Sequence, residues 1–205
     1  RLSHPLLYAG LSRRTLPSAS CLLLSSLPTG YNRCLASVGE NLAAVRARME
    51  RALQRAWTPQ RPVTLVAVTK THPPARIREA YEAGQRHFGE SRVQEFEQKQ
   101  PLPEMAAAVW HLIGHLQSNK ARRAERLFAV IETVDSERRA RRLEEAAGAS
   151  GRRLPVFLEV KLSDEAAKPG CVEEELPELA REVAALPHLE LRGLMTMPPF
   201  TEDPE

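Results

Sequence analysis

The apolar positions of this chain follow two rhythms. Over residues 40–57, "ENLAAVRARMERALQRAW", Leu42, Val45, Met49, Leu53 and Ala56 recur at the spacing of one helix face. Pro59 and Pro62 then stop the helix. After them, short apolar runs alternate with amphipathic stretches. "VTLVAVTK" (63–70) reads as a strand, followed by a helix over about 74–83 that "HPP" opens and Gly84 ends. The pairing repeats as strand 86–90 with helix 91–99, strand 108–116 with helix 117–127, strand 128–136 with helix 137–148, and strand 154–162 with helix 173–185. A sixth strand spans 189–197. Strict alternation predicts a parallel sheet with right-handed crossovers. Nearly continuous apolar runs predict strands covered on both faces. A doubly wound sheet and a (β/α)8 barrel both satisfy the pattern. No GxGxxG follows any strand, which weakens the dinucleotide-binding version of the first.

Composition divides the chain unequally. Residues 1–39 contain no Asp or Glu, carry Arg1, Arg13, Arg14 and Arg33, and are dense in Ser and Leu. That is the composition of a mitochondrial transit peptide or of an unstructured extension, so a leader is expected over 1–39 and a barrel domain over 40–205. The longest apolar run near the start, "CLLLSSLP", is too short to span a bilayer, and no membrane association is expected. Net charge is +3, and 24 of the 29 basic residues are Arg, mostly interleaved with Glu. "SERRARRLEEAAGAS" (136–150) therefore reads as a solvated helix face and not as a nucleic-acid surface. Cys21, Cys34 and Cys171 are an odd number with no close pair, which suits a reducing compartment and gives neither a disulfide framework nor a zinc pattern.

Lys70 is one of only five lysines, and it ends the first strand. In both candidate folds chemistry collects at the carboxyl ends of the strands. Burial there would disfavour an ammonium and favour a neutral amine, the form that adds to aldehydes. The alternative is a lysine that snorkels past the strand end. The other strand ends, "FGES" (88–91), "HLIGHLQSNK" (111–120), "VDS" (134–136) and "GLMTM" (193–197), gather Gly, His, Asn and small polar residues at the same edge. His111 is placed to donate a hydrogen bond to a ring substituent, or else to be a satisfied core histidine. Gly114 and the strand-to-loop setting spoil a helical pairing of His111 with His115, so no metal is expected.

"LVAVTKTHPPARIREAYEAGQRHFGESRVQE", "WHLIGHLQSNK", "ETVDS" and "LRGLMTM", in unbroken order over about residues 40–197, resemble the pyridoxal phosphate homeostasis protein family. The resemblance implies a (β/α)8 TIM-barrel-type fold like that of alanine racemase. It implies pyridoxal 5′-phosphate (PLP) as cofactor, held as a Schiff base by Lys70, and buffering of the cofactor without established turnover. It places Met195 near the pyridine ring. Ser91 stands where the family usually has Asn, keeping a hydroxyl but losing the amide's reach, and Glu159-Val160-Lys161 stands where it usually has Gln-Val-Asn. Lys168 and Gly170 keep the family's Lys-x-Gly.

About six β/α units fit into this sequence, against about 250 residues for a full barrel, so an incomplete barrel is expected. The family's phosphate-holding elements would lie in the two units not found, so weak or no PLP binding by a truncated product is one alternative. A PLP-dependent racemase-like enzyme is another, although Tyr8 and Tyr31 lie in the leader and Tyr81 on a helix. The expected partners are PLP and PLP-dependent apoenzymes, with no nucleic acid. The expected state is a monomer, cytoplasmic or mitochondrial.

Overall fold

A computed structural model of the chain describes residues 37–56, 62–99, 103–162 and 169–197, and the backbone of 6–9. The targeting reading of the leader rests on residues outside the described ones, as does Lys168. The elements run β1 (Leu6–Ala9), α1 (Val38–Arg55), β2 (Thr64–Val68), α2 (Pro74–Glu82), β3 (His87–Glu90), α3 (Val93–Lys99), β4 (Val109–Leu112), α4 (Ala121–Leu127), β5 (Val130–Val134), α5 (Glu137–Ser150), β6 (Leu154–Glu159), α6 (Leu176–Ala184) and β7 (Leu189–Met195). All six expected strands form, each shorter than its apolar run, and in all but β3 the last residues of the run turn into the loops that build the site.

Every neighbouring pair of strands is parallel, and the order in the sheet is the order in the chain. A doubly wound sheet reverses its order part-way, because its helices lie on both faces. Sequential order winds one way only, as in a barrel. The faces agree with this. Leu65, Ala67, Phe88, Leu112, Ile131, Leu154, Val156 and Leu158 belong to the clusters that pack on the helices. Alternate residues point to the concave face, which carries His87, His111, Glu132, Phe157 and Glu159. Trp110 joins the two apolar clusters, stacking on Phe88 at 5.1 Å between centroids and meeting Phe96 at 4.5 Å.

Part of the segment expected as leader is structured. Leu6–Ala9 pairs with Thr64–Ala67 as an edge strand. The reason is that β2 would otherwise present a row of unpaired N–H and C=O groups, which the apolar "LLYA" can satisfy. Helix α1 also starts before Glu40. Ser37 caps it, its Oγ accepting from the Glu40 N–H at 3.1 Å while Glu40 accepts from the Ser37 N–H at 2.7 Å. The solvated-face reading of α5 needs one correction. Arg139 is buried, because it falls on the stripe with Leu143, Ala146 and Ala147, while Arg141 and Arg142 are exposed and paired with glutamates.

Candidate functional site

Strand β2 ends at Val68, two residues before Lys70. Thr69 is still buried and its N–H donates to Gly89 O at 2.9 Å. Lys70 is exposed, in a turn closed by the His72 N–H donating to Thr69 O at 3.0 Å. The burial expected for its amine is therefore absent, because the chain leaves the sheet before reaching it. The next residue, Thr71, has φ of 66°, a left-handed conformation that a β-branched residue seldom takes. Another lysine is the enclosed one. Lys99, at the end of α3, has its side chain 10% exposed. Its ammonium donates to Thr69 O at 2.8 Å, to Glu90 Oε1 at 2.7 Å and to Glu95 Oε1 at 2.9 Å. Burial alone would raise the Glu95 carboxyl. The Lys99 ammonium and the Thr71 N–H outweigh it and hold the carboxyl below its usual range.

Ser91 follows β3 directly and is half-buried. Its backbone packs on Gly114, the residue two beyond β4: a Cβ at Gly114 would lie 2.2 Å from Ser91 O. Only glycine lets these two loops approach so closely. A cavity of about 510 Å3 opens here, lined by Ser91, Arg92, Gly114, His115, Gln117 and Lys120. Behind it, Arg139 reaches from α5 to donate to Leu116 O at 2.7 Å, lies 3.1 Å from His115 Nε2 and pairs with Asp135.

His111 does not face this opening. It is buried on the concave side of β4, with Nδ1 2.6 Å from Glu132 Oε1 and Nε2 3.0 Å from His87 Nδ1. Both ring nitrogens are engaged, so neither is free for the ring-substituent hydrogen bond expected of it. Burial, then the neighbouring His87, holds the His111 imidazole down at about 3, and burial pushes Glu132 up to about 8. Met195 ends β7 beside Glu159, its register partner on β6, and is 5% exposed. Burial raises the Glu159 carboxyl, opposed by the Arg139 charge. Lys161 is half-buried, and its N–H donates to Cys171 O at 3.0 Å. Lys70, Ser91 and Met195 thus share the carboxyl-terminal edge of the sheet, and His111 lies inside it. Among the described residues no group of three His, Cys, Asp or Glu could hold a metal ion, and no helix is long and apolar enough to cross a membrane.

A family model, that of the alanine racemase N-terminal domain, matches residues 41–205. The pyridoxal phosphate homeostasis protein of Pseudomonas aeruginosa is 43% identical over 169 residues, which is 82% of this chain and 74% of that protein. The chain belongs to the pyridoxal phosphate homeostasis protein family. Among solved structures, PipY of Synechococcus elongatus with PLP bound is 42% identical, has a TM-score of 0.69, and is matched over 80% of this chain and 72% of its own. Alanine racemase of Clostridium difficile, at 12% identity and a TM-score of 0.56 over 75% of this chain and 39% of its own, shares the fold. This family member is an alanine-racemase-like parallel barrel sheet, as the strand order already required.

The residues that sequence reading missed in this family member are the ones its fold brings together from different motifs. Lys99, Glu90 and Glu95 lie beside Lys70 only because α3 folds back on the end of β2. "ETVDS" was visible as a motif, but the pairing of Glu132 with His111 needed the register of β4 and β5. Arg139 carried a usable signal, its helical spacing from Leu143, which its arginine-rich surroundings hid.

Proposed function

We propose that this chain binds PLP and serves in its homeostasis, holding the cofactor through Lys70 with Ser91 and Met195 alongside, and without catalytic turnover. PLP supplies an electrophilic aldehyde carbon, and the chemistry it calls for in the protein is a nucleophilic amine. The residues present fit that need. Lys70 is an exposed primary amine on a turn tied to the body of the protein through its neighbours Thr69 and Thr71. The tied turn is the observation that carries the reading. An exposed lysine also suits a protein that must give its cofactor up, since water and a receiving apoenzyme can both reach the link. A site built for turnover instead sequesters its chemistry from water. The racemase reading needs an acid/base partner for the lysine. Tyr81 is a poor candidate, since it lies on α2 under the Arg86 guanidinium, 4.2 Å from its ring centroid.

The test is covalent trapping. The chain is incubated with PLP, reduced with borohydride and digested, and the peptides are mapped by mass. The pyridoxyl group is expected on Lys70 and is expected to vanish in Lys70→Ala. Label chiefly on Lys161 or Lys168, or label that survives Lys70→Ala, would overturn the assignment.

A further inference from the structure

We propose that Glu95 and Lys99 are positioning residues for Lys70: a partly buried ion pair on α3 grips the backbone on both sides of the lysine and leaves its amine free. This rests on the assignment of Lys70 as the cofactor lysine. The grip consists of two hydrogen bonds that flank one residue. The Thr69 carbonyl, just before Lys70, accepts from Lys99 Nζ at 2.8 Å. The Thr71 N–H, just after it, donates to Glu95 Oε1 at 2.5 Å. A third tie comes from the Thr69 hydroxyl, which donates to Glu90 Oε1 at 2.6 Å.

The chemistry of the cluster makes the grip stiff. An ammonium has three protons, and Lys99 spends all three, on Thr69 O, Glu90 and Glu95. It is thereby a structural cation with no free donor and no nucleophilic role. Glu95 and Lys99 sit one turn apart on α3, so each orients the other. Val93 and Phe96 bury the other side of α3 in the core, which fixes the helix against the sheet. The position of Lys70 is thus set by α3, an element 20 and more residues downstream, and not by β2 alone.

The turn also requires a hold. Thr71 at φ 66° occupies a region that is strained for a β-branched residue, and such strain persists only where the surroundings over-determine it. The Glu95 carboxylate on the Thr71 N–H is a charge-assisted bond of the stronger kind. Without it the Lys70 turn is expected to relax to an ordinary conformation, and the amine moves with it. Misplacing a reacting group by about 1 Å can cost on the order of a hundredfold in rate.

Glu95 is the residue to change, because it is only partly buried and its loss leaves the Lys99–Glu90 pair intact. Three readouts are compared in Glu95→Ala and Glu95→Gln: the rate of borohydride-trapped PLP labelling at Lys70, the labelling of Lys70 by trinitrobenzenesulfonate, and hydrogen exchange of the Thr71 amide without cofactor. Glu95→Ala should slow PLP labelling about tenfold or more while leaving trinitrobenzenesulfonate labelling nearly unchanged, since the amine itself is intact. Exchange at Thr71 should speed up by about tenfold. Glu95→Gln keeps an acceptor for the Thr71 N–H and should stay within about threefold of the parent in all three. Parental PLP labelling in Glu95→Ala would overturn the proposal. So would an equal fall in both kinds of labelling, or a Glu95→Gln that fails as badly as Ala. Absence of PLP label on Lys70 in the parent chain would defeat the cofactor assignment and the purpose of the grip with it. Unchanged Thr71 exchange in Glu95→Ala would defeat the grip alone.

Discussion

His111 and Glu132 lie 2.6 Å apart on the concave face, out of water, and their protons follow from that. With the imidazole held near 3 and the carboxyl near 8, Glu132 carries the proton at neutral pH and His111 stays neutral. The Glu132 O–H then donates to His111 Nδ1, and His111 Nε2–H donates to His87 Nδ1. Unfolding returns the two groups to ordinary values near 6.5 and 4.5. Between those values each state holds one proton on the pair, and the pair adds no pH dependence. Between 6.5 and 8 the folded state holds one and the unfolded state none, so stability falls as pH rises. At about 1.4 kcal/mol per unit, the loss by pH 8 is roughly 2 kcal/mol. His87, also held down by burial, adds a loss on the acid side and leaves the alkaline limb alone. Glu132→Gln should remove that limb while its amide still donates to His111. Urea midpoints on either side of this window would show it, and an unaltered alkaline slope in the variant would refute the proton assignment. At this scale the sequence singled out Lys70 through strand position and motif, and expected for it a burial that the structure does not show. Burial cannot be read from a run of apolar letters when the strand stops two residues early. The enclosed lysine is Lys99, whose partners are 4, 9 and 30 residues away in the chain.

Elements were far easier to read than contacts, because each is written by local chemistry. Helix α2 begins with the proline pair and ends at Gly84, whose φ of 84° supplies the left-handed stop. Helix α5 ends the same way at Gly151. The start of α1 was misplaced because the capping box lies among small polar residues that also look like loop. It matters for the fold, since α1 buries only Val38 and Leu42 outright and covers the β2–β3 side of the sheet with α2. So thinly buried a helix depends on its cap and on side-chain ties such as Arg46 to the Ala83 carbonyl at 3.1 Å. Ser37→Ala removes the acceptor for the Glu40 N–H and should cost about 1 kcal/mol. A circular-dichroism melt lowered by a few degrees is the expected result. A melting point equal to the parent's would show that α1 is held by packing alone.

For the whole molecule, the question is what happens at the edges of the sheet. Sequential parallel order selected the barrel type, yet a sheet that has not closed on itself leaves its first and last strands with unpaired backbone groups. Strand β1 covers one such edge, lying along β2 on the side away from β3. In a closed barrel that side of the first barrel strand receives the last strand. The segment read as a leader therefore stands where a barrel strand would, and sequence could not reveal this because edge pairing depends on which partners are at hand. The site depends on the same strand, since β2 leads directly to Lys70. Removing residues 1–36 keeps Ser37 and the α1 cap but uncovers β2. Each ladder hydrogen bond contributes a net of about 1 kcal/mol, so the loss for this short ladder should be about 2 kcal/mol. Hydrogen exchange should quicken in the β2 amides that face β1 and stay slow in those that face β3. A shortened chain with the parent's urea midpoint and unaltered β2 exchange would show that β1 contributes nothing to the edge. A chain that loses stability and also gains mass in solution would show the freed β2 edge pairing with a second copy.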